Sequence, residues 1–114
     1  MLDPMTTRSI PSRIAVTVMD AGTGLAQCPF FAKCDGILVF DAETGQREFH
    51  PNPSRTTESL CALILESRVG GLICGFIGEP EIRSLRAAGI DVRVGSGRCC
   101  VEALVACFSD LPGA

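Results

Sequence analysis

The chain has 114 residues and a mass of 12.0 kDa, enough for a single domain around one packed core and no more. With 46% hydrophobic and 20% charged residues, wholesale disorder is excluded. A formal net charge of −3, without Tyr or Trp, argues against gripping nucleic acid through phosphates and stacked bases.

Residues 1–12 hold two prolines and little apolar pattern, and read as a flexible tail; residues 13–114 read as one α/β domain. Residues 14–19 are apolar and β-branched, a first strand. A long loop, 20–33, follows. Residues 37–40 are apolar at every position, so the second strand is expected to be buried on both faces. A tight turn at 42–45 leads to a polar third strand, 46–50, pairing with the second as a hairpin. Thr56 or Thr57 then caps a helix reaching about residue 68, with Leu60, Leu63 and Ile64 on one face. Residues 72–74 form a short buried fourth strand. Glu79-Pro80-Glu81 opens a second helix that buries Ile82, Leu85 and Ala88 and closes at Gly89. Residues 90–94 alternate as a fifth strand, and a third helix spans about 98–109 with Val101, Leu104, Val105 and Phe108 inward.

The order is βββαβαβα. Both βα crossovers require parallel, right-handed pairing, and the polar third and fifth strands belong at the edges. A five-stranded mixed sheet in the order 3-2-1-4-5, covered by three helices, satisfies both demands. That is the topology of a ribonuclease H-like motif. The longest charge-free apolar stretch, 69–78, is about half a membrane span. No basic segment followed by an apolar run opens the chain, so a cytoplasmic protein off the membrane is expected.

Several segments, taken in order, resemble one known family. They are Ile14-Ala15-Val16, Phe31 with 37–41 and Glu43-Thr44-Gly45, 71–78, 85–92, and Gly95-Ser96-Gly97 running into Val101-Glu102-Ala103-Leu104. The family is dinitrogenase iron–molybdenum cofactor biosynthesis, which includes NifX-, NafY- and NifB C-terminal-like domains. The resemblance covers residues 14–110. It implies a carrier or scaffold for an iron–sulfur or iron–molybdenum-type cluster, or its precursor, without turnover of its own. It also implies partners that donate and accept that cluster, with the carrier a monomer or weak homodimer. The family commonly has a His-Phe-Gly element before the second strand, whose His is the expected cofactor contact. Here Phe30-Phe31-Ala32 stands in that place, flanked by Cys28 and Cys34.

Seven cysteines accompany a single His, an odd count that speaks against a disulfide framework. Buried thiols, a redox site and soft-metal ligands all remain open; no CxxC pair marks a zinc ribbon. In a parallel sheet, ligands gather beyond the carboxyl ends of the strands. Cys28 and Cys34 follow the first strand, Cys74 ends the fourth, and Cys99 follows the fifth. These four thiols are therefore candidate metal ligands on one rim, since thiolates suit iron–sulfur and other soft centres. Phe30 and the glycines Gly75, Gly78, Gly95 and Gly97 are candidate cofactor contacts, or serve only to turn the chain. A nuclease is disfavoured because clustered carboxylates are missing. A cofactor-free interaction module and a thiol redox protein stand as alternatives.

Overall fold

The apolar run after Ser12 forms strand β1 (Arg13–Asp20), the central strand of the molecule. The computed structural model describes residues 11–20, 22, 24–95 and 100–114, with Ala32 as backbone only. β2 (Leu25–Gln27) and β3 (Gly36–Asp41) run antiparallel to β1, and β4 (Arg47–Pro51) runs antiparallel to β3. Helix α1 (Thr57–Glu66) returns the chain to β5 (Gly71–Cys74), which is parallel to β1. Helix α2 (Glu79–Ala87) returns it again to β6 (Asp91–Val94), parallel to β5. Helix α3 (Val101–Ala106) and a 3-10 turn (Phe108–Asp110) follow.

The sheet is mixed, and its main path runs β4-β3-β1-β5-β6, with β2 paired to β1 off that path. The sequence reading counts five strands; the sheet has six. The addition, β2, lies in the segment expected as a loop. β1 pairs with β5 only over Ile14–Val16, so its final residues, Val18 to Asp20, have ladder groups left to satisfy. Leu25–Gln27 folds back to satisfy them. The third helix is also shorter than the expected 98–109, because Cys107 leaves helical geometry at φ −109°, ψ 29°. Of the expected tail, only residues 11 and 12 are described.

Two cores sandwich the sheet. Ala15, Ile37, Val39, Leu72 and Val92 face Leu60 and Ile64 of α1 and Leu85 of α2. Ile14, Val16, Val18, Leu38 and Ile73 face Val101, Leu104 and Phe108. Covering both faces explains why β1 and β3 read as continuous apolar runs rather than alternating ones. Thr56 caps α1 by accepting the Ser59 N–H at 3.1 Å, which fixes where that helix starts.

The two sheet edges differ. Along β6, the Val94 N–H donates to Pro112 O and the Ala114 N–H to Val92 O, so residues 112–114 cover that edge. β4 carries the other edge and pairs only with β3 among the described residues. The guanidinium of Arg93 fixes the covering segment: it donates to Phe108 O, Ser109 O and Leu111 O, pairs with Asp91, and lies 5.1 Å over the Phe108 ring. Arg93→Leu keeps the aliphatic bulk and removes every donor. It is expected to cost about 2 kcal/mol in a urea titration, the scale for hydrogen bonds from a charged group.

No helix among the described residues is long and apolar enough to cross a membrane.

Candidate functional site

The segment after β1 crosses directly over the exit of β5. The Cys28 N–H donates to Thr17 O at 2.8 Å, which ties the crossing to β1. The Phe76 N–H then donates to Pro29 O at 2.7 Å, and the Phe31 N–H to Phe76 O at 2.8 Å. Phe30 and Phe76 thereby form a parallel bridge between two loops. Gly75 makes the crossing possible, because any Cβ there would overlap the backbone of Pro29.

This clasp decides which way the aromatic rings point. Phe31 turns inward and is fully packed in the core beside α1. Phe30 and Phe76 stay outside, 51% and 78% exposed. Their rings are stacked, with centroids 6.2 Å apart and planes within 2°.

Beside the stack lies an open groove of about 410 Å³. It takes Gln27 and Pro29 from the segment after β1, residues 75–77 after β5, Ile82 from α2, and Val94 and Gly95 at the end of β6. It therefore sits at the carboxyl ends of the parallel strands, within the usual size range for a ligand site. Gln27 is its buried polar group, and the side-chain oxygen has no hydrogen-bond partner among the described residues. Gly95 keeps the approach clear: a Cβ there would press on Ile73, on Leu104 and on Gln27 Oε1. A second cavity of about 320 Å³ lies at the other end of β1, where Arg13 and Asp41 already pair.

Cys28, Cys34 and Cys74 do come together, but beneath the rim rather than on it. They are 3%, 0% and 0% exposed and belong to the core on the α1 and α2 side. The physical reason is Phe31: as its ring plugs the core, the turn that carries it draws both flanking cysteines inward. The thiols of Cys28 and Cys34 both donate to Phe30 O, at 3.1 and 3.2 Å, and that of Cys74 to Arg93 O at 3.7 Å. Burial pushes the Cys74 thiol up to about 12. Burial raises Cys34 as well, with further contributions from its hydrogen bond and charge interaction with Cys28. Both are neutral at physiological pH, whereas metal ligation needs thiolate. Among the described residues, no group of three His, Cys, Asp or Glu side chains is placed to hold a metal ion.

Cys99 and Gly97 lie outside the described residues. Gly78 starts α2 as its N-cap, and the first turn carries Glu79 and Glu81. Those carboxylates already complement the positive end of the helix, so this end offers little to an anion. Cys61, half-buried on α1, is pushed up by burial, then by Glu81 and Glu58.

The residues that sequence reasoning missed are Gln27, Phe76 and Ile82. Phe76 carried a usable signal: a large apolar residue between strand-end glycines, in a loop at the carboxyl edge. Gln27 carried none, because its burial follows from β2, a strand of three residues.

The family described as dinitrogenase iron-molybdenum cofactor matches residues 12–110. The apo form of the orange protein from Desulfovibrio gigas superposes with a TM-score of 0.79 at 30% identity, covering 93% of this chain and 95% of that one. A putative NifB protein from Thermotoga shares the fold, with a TM-score of 0.72 at 22% identity over 90% and 92% of the two chains. No curated protein matches.

Proposed function

The chain belongs to the dinitrogenase iron–molybdenum cofactor family, and from that premise we propose that it carries an iron–sulfur or iron–molybdenum-type cluster, or a precursor, between a donor that builds it and an acceptor that receives it. Members of this family are carriers and scaffolds rather than enzymes. The observation that carries the reading is the open groove lined by Ile82 and by Phe76 of the Phe30–Phe76 stack, with the unpartnered side-chain oxygen of Gln27 at its edge. Cluster sulfides are soft and polarizable, and suit contact with aromatic rings. A buried side-chain oxygen without a partner is an acceptor with capacity to spare, so it can take a hydrogen bond from a protonated group on an incoming ligand. An open groove also releases what it holds, which is what hand-over requires.

In this reading the groove holds the cargo by shape and contact: Gly75 lets two backbones come close enough to form it, and Gly95 leaves room for the side chains of Ile73, Leu104 and Gln27. Cys28, Cys34 and Cys74 support the loop from within as buried thiols hydrogen-bonded to backbone carbonyls. Cys99, in the segment after β6, is the expected thiol ligand that this reading retains. The carrier acts in the cytoplasm as a monomer or weak homodimer, off the membrane.

The test is anaerobic reconstitution with iron, sulfide and molybdate, followed by quantification of bound metal. Stoichiometric metal is expected. The Phe30→Asp/Phe76→Asp variant should bind about tenfold more weakly, a loss of about 1.4 kcal/mol, because it alters exposed rings and leaves the core intact. The Cys28→Ala/Cys34→Ala variant should still bind. The reverse pattern would return the site to the thiols, and absence of metal from every folded variant would defeat the carrier reading.

A further inference from the structure

Two of the buried thiols stand in a relation that cargo binding does not use. The sulfurs of Cys28 and Cys34 converge on one acceptor, the carbonyl oxygen of Phe30, at 3.1 and 3.2 Å. Sharing that acceptor keeps the two sulfurs close to each other. Both belong to the short turn that carries Phe30 and Phe31, whose regular structure is a single 3-10 turn at Phe31–Lys33. The third thiol of the group, Cys74, is held in the β5–β6 ladder and turned toward Arg93 O.

We propose that Cys28 and Cys34 form a reversible disulfide when the protein meets a hydroperoxide, and that this bond pins the turn presenting Phe30. The chemistry balances with peroxide as the oxidant. When the turn opens to solvent, one thiol gives up its proton and attacks a peroxide oxygen as thiolate; the O–O bond breaks, the released hydroxide takes the proton and leaves as water, and a sulfenic acid remains. The second thiol displaces that oxygen as a second water, and the S–S bond forms. Two electrons pass from two thiols to one peroxide, and a dithiol reductant reverses the change.

The surroundings tolerate the loss of both S–H donors. Phe30 O also accepts the Lys33 N–H at 3.1 Å, so it keeps a partner after oxidation. Both sulfurs are buried, so the turn must open for peroxide to enter. Exposed Cys100 is therefore expected to react sooner, and the bond between Cys28 and Cys34 to follow. The consequence falls beside the groove: the turn that follows its lining residue Pro29 and carries Phe30 becomes covalently tied across its own base.

The test is peptide mapping of the full chain after hydrogen peroxide, with free thiols alkylated before digestion. Trypsin cuts after Arg13, Lys33 and Arg47, which places Cys28 alone in peptide 14–33 and Cys34 alone in peptide 34–47. The expected product is these two peptides joined, separating again in dithiothreitol. Slower amide exchange at residues 30–33 of the oxidised protein is expected alongside. A join between peptide 34–47 and the peptide holding Cys74 would overturn the proposal. So would Cys28 and Cys34 both recovered alkylated after Cys100 is fully oxidised. The mapping needs no cargo, so its outcome is independent of the carrier reading.

Discussion

Replacing Gly75 with valine is expected to destabilise the protein by about 3 kcal/mol, at the upper end of what overpacking costs. The clash is with the Pro29 backbone, which has no rotamer to change. Relief requires parting the bridge between Phe30 and Phe76, together with the two hydrogen bonds that flank it. A scanning melt should show the thermal midpoint fall by roughly 10 °C for a domain of this size. The same variant should lose metal uptake in reconstitution, because the groove is built on that crossing. Gly78→Ser is the matched control. Gly78 has an ordinary φ of −75°, and a new side chain there crowds the flexible end of Glu81 and otherwise makes ordinary contact with the Pro80 ring. Serine is a favoured N-cap, so this variant should be neutral or slightly stabilised. Equal losses from both variants would remove the crossing as the explanation.

A second large effect is alkaline lability. The Cys74 thiol is raised from 9.0 to about 12 by burial, and Cys34 is raised as well. Below about pH 9 both folded and unfolded chains hold these protons, and the thiols contribute nothing to pH dependence. Above it the unfolded chain releases them while the folded chain keeps them, so stability falls as pH rises. The slope is about 1.4 kcal/mol per pH unit for each thiol. For Cys74 the loss continues until pH reaches its folded value. Urea midpoints measured from pH 7 to pH 11 should be flat at first and then drop steeply. Cys74→Ala should remove one thiol's share of that slope. A flat profile to pH 11 would mean that the thiols are hydrated rather than sealed in the core.

Much of the architecture was legible because several local signals agreed. Thr56 or Thr57 as a cap, Glu79-Pro80-Glu81 as a helix start, and the apolar stretches at 14–19, 37–40 and 72–74 each point to the elements observed. The sixth strand was not legible: Leu25–Gln27 is defined by unpaired groups on β1, and nothing in three residues announces that. The site was harder for a chemical reason. Cysteine serves equally as a metal ligand and as a small core residue, so spacing alone placed Cys28, Cys34 and Cys74 near one another without saying on which side of the surface. Packing of Phe31 decided that, and it is a tertiary event. The exposure of Phe30 was suggested by the family resemblance, in which it stands where the family has its His. That of Phe76 depends on a backbone crossing with Pro29, a residue distant in sequence.

The unequal edges of the sheet bear on how copies of this chain meet. Residues 112–114 close the β6 side, so along the main path of the sheet only β4 presents an unpaired ladder among the described residues. A sheet with two open edges propagates, each copy templating the next into a fibre. A sheet with one open edge does not: the first partner to pair there consumes the only template, and growth halts at two. Even that pairing is discouraged, since β4 ends in Pro51, which has no N–H to give, and carries Arg47 and Glu48 toward solvent. Covering one end of the main sheet path with a few residues thus works against end-to-end polymerisation of an apolar, slightly acidic chain.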